Sequence, residues 1–231
     1  MTLDRILQSQ GFGTRKACRH WIREGEVRVN GERVTEFGAD ISTEGLQLEV
    51  CGEPWQFRAL VYLALHKPVD IECSRKPSHH PGVHSLLPPQ FLLRDVQPVG
   101  RLDHDTTGLL LLSDDGAFIH AQSSPKRKVP EALLLQLNQG VKLHDEPLPI
   151  AGKARALGSH QLEIVLEQGK YHQVKRMLAA AGNHCDALCR VAIGALRLES
   201  LNLAPGQWCY LESPHLGRLR PSDAVPTASV T

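Results

Sequence analysis

Apolar residues along this chain fall in short blocks whose spacing changes from segment to segment. Leu109, Leu110, Leu111 and Leu112 form an unbroken run, the pattern of a strand buried on both faces. Leu60 to Leu65 gives a second strand signal and Leu162 to Leu166 a third. Val27, Val29 and Val34 alternate with polar residues around Asn30-Gly31, which predicts a β-hairpin. Helices are marked by their ends. Thr14 is an N-cap and Gly25 a stop for a helix reaching about Glu24, with Cys18 and Ile22 able to face a core. Ser113-Asp114-Asp115-Gly116 is turn and cap sequence opening a helix over Ala117 to Gln122. Gly169 breaks the third strand from a helix spanning about His172 to Ala181. Pro221 to Thr231 is small and polar, and disorder is expected there.

The chain has 231 residues, is 42% hydrophobic and 22% charged, and carries a net charge of +1. That is an ordinary soluble composition with room for a small and a medium domain. No apolar run approaches the ~18 residues of a membrane span. The start, MTLDRILQSQ, lacks the apolar core of a signal peptide, and six cysteines without a C-x-x-C fit a reducing compartment, so a cytoplasmic location is expected. Charge distribution says more than the total. Arg15, Lys16, Arg19 and Arg23 lie within residues 13–23 without an acid, and Lys126, Arg127 and Lys128 form a second cluster. Arg15, Arg19 and Arg23 share one helical face. A solvated charged face is the commoner meaning of such a stripe. The missing acids and the hairpin that follows favour phosphate binding.

Candidate chemistry concentrates in Gly100 to Gly116, GRLDHDTTGLLLLSDDG. An arginine, two carboxylates, a histidine and two hydroxyls sit at the mouth of the apolar run. Charges there are costly unless paired, and a functional loop on a rigid strand accounts for them. Downstream, Glu167 to Met177 reads EQGKYHQVKRM and Leu188 to Gly194 reads LCRVAIG. His79, His80 and His84 lie in a Pro- and His-rich stretch over residues 75–90 with no carboxylate at ligand spacing, which suggests a mobile surface loop. His184, Cys185 and Cys189 suit a helix face or buried thiols better than zinc.

These motifs, in one order, resemble the ribosomal pseudouridine synthases of the RsuA type. The basic helix and V-R-V-N-G, over Leu3 to Val50, are similar to the αL RNA-binding module of S-four type. The resemblance implies an α+β fold: residues 1–57 an RNA-binding domain, 58–220 a catalytic domain with a mixed, mostly antiparallel sheet, and 221–231 a tail. It implies that Asp103 is the one catalytic carboxylate, as nucleophile or as base. Lys175, then Arg176, is the expected basic partner. Arg101, Tyr171, His172, Gln173 and Leu188 are implied at the substrate, and Arg15, Lys16, Arg19, Arg23, Lys126, Arg127 and Lys128 at RNA. No cofactor or metal is implied. The expected partner is ribosomal RNA or a pre-ribosomal particle, the chain acting as a monomer away from membranes.

The chain departs from the family pattern at four places. Asp70 replaces a glycine in His66 to Ser74, HKPVDIECS, which suggests a special backbone angle. Cys189 replaces a histidine. Leu133 stands where the resembled family has a tyrosine that packs on the target base, and a helical segment before Gly140 is missing. Leu133 motivates two alternatives, a non-catalytic RNA-binding or ribosome-assembly factor and a weaker synthase. A large-subunit RNA synthase is a further alternative. A nucleic-acid hydrolase lacks a second carboxylate motif or metal site.

Overall fold

The structure is a computed structural model. It describes residues 1–123, 137, 140–157, 161–166, 169–219 and 227–230. Lys126, Arg127, Lys128 and Leu133 lie outside the described residues. The chain divides into two compact units, Met1–Val61 with Leu87–Gln97, and Tyr62–Leu86 with Pro98–Thr231.

In the first unit, helices α1 (Leu3–Ser9) and α2 (Arg15–Arg23) precede strands β1 (Val27–Val29), β2 (Glu32–Arg33), β3 (Gln47–Val50) and β4 (Glu53–Gln56). The strands form an antiparallel sheet in the order β2-β1-β3-β4. Thr14 caps α2 by accepting the Ala17 N–H at 3.2 Å. The core joins Leu3, Ile6 and Leu7 to Cys18 and Ile22, over Val27 and Leu48. Residues 87–97 return to this unit, which the apolar pattern did not foretell. Helix α3 (Pro89–Leu93) buries Phe91, whose ring centroid lies 5.6 Å from that of Trp55. Arg94 donates to Gln10 Oε1 and to the Arg58 carbonyl, both at 2.9 Å.

The second unit is built on β5 (Tyr62–Lys67), β6 (Gln97–Val99), β7 (Thr107–Ser113), helix α4 (Gly116–Ser123), β8 (Lys153–Ala156), β9 (Leu162–Val165), helix α5 (Gln173–Ala180) and β10 (Leu188–Arg190). A short hairpin, β11 (Ala192–Ile193) with β12 (Leu196–Arg197), then β13 (Trp208–Tyr210), helix α6 (Ser213–Gly217) and β14 (Thr227–Val230) complete it. The main sheet runs β13-β5-β7-β10-β14-β9-β8, with β6 beside β7. Along that path only the β7–β10 pairing is parallel. The fold is therefore α+β with a mixed, mostly antiparallel sheet.

Strand β7 is the centre of this unit. Leu109 to Leu112 are each fully buried, and Leu110 and Leu112 face Leu65 and Leu63 of β5. Asp115 caps α4 by accepting the N–H groups of Ala117 and Phe118. Gly108 has a φ of +108°, and a Cβ there would lie 2.2 Å from the Arg190 carbonyl oxygen. A side chain at this position would drive β10 off β7, which gives the Thr-Thr-Gly sequence a packing reason.

Two expectations need correction. The stretch over residues 75–90 is pinned rather than mobile: the Glu72 carboxylate accepts the N–H groups of Ser78, His79 and His80, and Val83 is fully buried. Four residues of the expected disordered tail, Thr227–Val230, form β14 between β9 and β10. Four residues are too short a stretch for their alternation to name a strand, and the two partners, β9 and β10, lie far away in sequence.

Candidate active site

The site grows from the end of β7. Residues 101–106 form the loop entering that strand, closed by a bond from the Thr106 N–H to the Asp103 carbonyl at 3.1 Å. Lys67 at the end of β5 is wholly buried. Its ammonium donates to the carbonyls of Pro68 (2.8 Å), His104 (3.1 Å) and Thr106 (2.9 Å). Leu102 N–H adds a bond to Cys73 Sγ at 3.4 Å. Burial pushes the Lys67 pKa down, opposed by Cys73 and by the carboxylates of Asp105, Asp103 and Asp70. In the sequence Lys67 is a cation just after the apolar stretch Leu60 to Leu65; its burial comes from the fold and leaves no mark in the pattern.

Asp103 projects from this loop with 31% of its side chain exposed. Facing it is the start of α5. His172 Nε2 lies 3.2 Å from Asp103 Oδ1. Lys175 Nζ lies 4.0 Å from Asp103 Oδ2, but 2.6 and 2.7 Å from the two oxygens of Asp105. Lys175 thus belongs first to Asp105, whose carboxyl its hydrogen bond holds below the usual range. His172, rather than Lys175, is the nearest basic group to Asp103. Its backbone is left-handed, φ 46°, a conformation uncommon outside glycine and costly by about 1–3 kcal/mol. At the N-cap it makes no capping bond with its side chain, so its ring is turned to Asp103 instead.

The other expected substrate residues divide. Tyr171 is 76% exposed and its ring stacks on His172, centroids 4.0 Å apart. Arg101 is exposed, with no ion pair among the described residues. Leu188 is half-buried on β10, and its carbonyl accepts the Thr107 hydroxyl at 3.4 Å. Arg176 departs from expectation: it pairs with Asp145 and donates to the Tyr171 carbonyl. Gln173 is 5% exposed and its Oε1 accepts the Lys170 N–H at 2.8 Å. It braces the turn before α5.

Arg190, half-buried on β10 beside β7, adds an unforeseen cation. Its Nε donates to the Leu109 carbonyl at 2.7 Å, while one terminal nitrogen is buried without a partner. Desolvation lowers its pKa to about 10. A cavity of about 580 Å³ lined by His66, Arg197, Glu199 and Asn202 shares no residue with the Asp103 group.

In the first unit, the α2 cations are partly spoken for. Arg15 and Arg19 each donate from Nε to Asp4 Oδ2 at 2.7 Å. Arg19 and Arg23 stack on Phe37, 4.6 and 4.9 Å from its centroid. The acid missing from residues 13–23 is supplied by α1, so half of the stripe is structural. Lys16 and Arg23 are exposed.

A model of the RNA pseudouridylate synthase family matches residues 61–180, and an S4 domain model matches residues 1–38. Ribosomal small subunit pseudouridine synthase A of Vibrio vulnificus is 34% identical, over 91% of this chain and 96% of that protein. The protein of that name from Escherichia coli K12 is 33% identical over 90% and 95%. The uncharacterized RNA pseudouridine synthase YtzG of Bacillus subtilis is 30% identical over 97% and 100%. A crystal structure of a pseudouridylate synthase aligns with a TM-score of 0.62 and 30% identity, over 95% of this chain and 99% of that one. The chain belongs to the RNA pseudouridine synthases, with an S4 domain ahead of the catalytic domain.

Proposed function

We propose that this enzyme isomerises a uridine of small-subunit ribosomal RNA, with Asp103 as its single catalytic carboxylate. The observation that carries the assignment is the placement of Asp103. It stands on a loop anchored by Lys67, partly open to solvent, and faces His172 and Lys175. The small-subunit target is supported by the relatives that bear that name.

The reaction breaks the N1–C1′ bond of the nucleoside, turns the uracil and joins C5 to C1′. Substrate and product are isomers, so no redox partner or second substrate is consumed. Asp103 acts on the nucleoside directly, as nucleophile at the sugar or as a base. The uridine must leave its stack. Arg101 and the Tyr171 ring are the exposed groups that receive the displaced base or its phosphate, with Leu188 as apolar wall. Lys16 and Arg23, with Lys126, Arg127 and Lys128, hold RNA phosphates, which fixes position rather than sequence.

Asp103→Asn keeps the shape and removes the charge. It should abolish isomerisation of ribosomal RNA transcripts while binding falls less than about twofold. Pseudouridine mapping of small- and large-subunit RNA, from cells with and without the gene, identifies the target. Turnover by the purified Asn variant near the wild-type rate would eliminate Asp103, and a modification lost only from large-subunit RNA would redirect the substrate.

A further inference from the structure

The three loop histidines at 79, 80 and 84 have no carboxylate near them in sequence, but the fold supplies one. Asp70 Oδ1 lies 3.9 Å from His80 Nδ1 and 3.9 Å from His104 Nδ1. The ligand atoms of all three residues fall within 4.8 Å of one another. The two imidazoles stack nearly parallel, centroids 4.4 Å apart at 11°.

Each of the three is carried by backbone that other groups hold. Lys67 Nζ bonds the carbonyl of Pro68, two residues before Asp70, and the carbonyl of His104 itself. The N–H of His80 donates to Glu72 Oε1 at 2.9 Å, beside the N–H groups of Ser78 and His79 on the same carboxylate. Asp70 takes a φ of +58°, where glycine is the unstrained residue. The backbones are fixed while the side chains stay accessible, at 70% for Asp70, 32% for His80 and 50% for His104.

We propose that Asp70, His80 and His104 form a binding site for a zinc-class divalent cation. Two imidazole nitrogens and one carboxylate oxygen are a recurrent ligand set for first-row transition metals, with open positions for water. Metal–ligand bonds of about 2.0–2.2 Å place ligand atoms roughly 3.3–3.5 Å apart in a tetrahedron. The Asp70 contacts at 3.9 Å therefore need to close by roughly 0.5 Å, and no pair of ligand atoms by more than about 1.5 Å, within the reach of exposed side chains. His104 follows Asp103 directly, so a bound ion ties the catalytic loop to the turns at Asp70 and His80. The isomerisation itself has no need of the ion. The ion's place here is to hold the loop.

The test uses the full chain without a histidine tag, stripped of metal and titrated with Co²⁺ alone, followed by Zn²⁺ competition. Wild type should develop a visible d–d absorption saturating at one equivalent, and Zn²⁺ should displace it. Asp70→Gly and His80→Ala should each weaken Co²⁺ binding by at least about tenfold, while His79→Ala should not. Asp70→Gly also relieves the left-handed strain, so that variant is expected to fold at least as well as wild type. Zn²⁺ should slow hydrogen exchange of the amides at His104 to Thr106 in wild type only. No saturable band in wild type, or wild-type affinity in both Asp70→Gly and His80→Ala, would overturn the site. Binding without slowed exchange would overturn the loop clamp. None of these readouts uses isomerase activity, so either assignment can fail without the other.

Discussion

Lys67 ends β5 with its whole side chain out of water and three carbonyl oxygens within 3.1 Å of its ammonium nitrogen. Hydrogen bonds from a charged donor contribute roughly 1.5–3 kcal/mol each, and carbonyls left bare inside the protein add a penalty of similar size. Lys67→Met fills much of the same volume without the donors. We expect it to lower stability by at least about 2 kcal/mol, read as a shift in the urea midpoint. Where it folds, kcat should fall more than tenfold with KM nearly unchanged, because the Asp103 loop loses its anchor while the RNA-binding surface stays. An equal loss in both constants would place Lys67 outside loop positioning. Leu133 poses the opposite question, since a side chain of the wrong kind stands where the resembled family stacks a tyrosine on the base. Stacking on an aromatic is worth about 1–3 kcal/mol per base, which corresponds to one to two decades in rate. Leu133→Tyr should raise the single-turnover rate on ribosomal RNA by that amount. If wild type isomerises no ribosomal RNA and the tyrosine restores nothing, a non-catalytic RNA-binding role takes precedence.

Helix α2 does two jobs with two faces. Its apolar side, Cys18 and Ile22, packs in the core, and its basic side reaches Asp4, which is fully buried on α1. Burial pushes the Asp4 carboxyl up, but the hydrogen bonds from Arg15, Thr2 and Arg19 outweigh it and hold it well below the usual range. A carboxyl with a depressed folded pKa stabilises above its unfolded value near 4 and loses that contribution as pH falls. The first unit should therefore weaken below about pH 4, and Arg15→Ala with Arg19→Ala should remove that dependence. Leaving Asp4 buried without its partners costs about 3 kcal/mol, so the double variant should melt early at neutral pH, measured by circular dichroism. Loss of RNA binding in it would say nothing of phosphate contacts. Lys16→Ala with Arg23→Ala is the informative pair. It should cost no more than about 1 kcal/mol of stability, from the lost Arg23 stacking on Phe37, and lower the log–log salt slope of RNA binding by roughly 0.7–0.9 per lost contact. The cap at Thr14, the hairpin and the apolar side of this helix were legible from spacing alone. The Asp4 pairing was not, because it depends on how two helices pack, and periodicity within one helix carries no record of the other.

At the scale of the molecule, what could be read from sequence was whatever is contiguous. The Asp103 loop and its strand form one unbroken motif. The turn at His172 is a second, and a resemblance that holds both in order implied that they meet. Groups assembled from separated single residues were invisible: Lys175 with Asp105, Arg176 with Asp145, and Asp70 with His80 and His104. The same limit hid the sheet order. Strand β14, near the end of the chain, pairs antiparallel with β9 over Thr227 to Val230 and with β10 over Ala228 to Val230. Along the path of the sheet it joins the β9–β8 ribbon to β10 and β7. Asp103 enters from the β7 side of that seam, while His172 and Lys175 follow β9. The seam thus runs between the two halves of the catalytic constellation. Ending the chain at Pro226 removes its hydrogen bonds without touching any residue of the site. The truncated enzyme should melt at lower temperature and lose more than tenfold in kcat. Ala228→Pro in the full chain deletes one N–H from the middle of the same strand, and should move both readouts in the same direction by less. Wild-type turnover by the chain ending at Pro226 would show that β10 and the β9–β8 ribbon keep their places without β14.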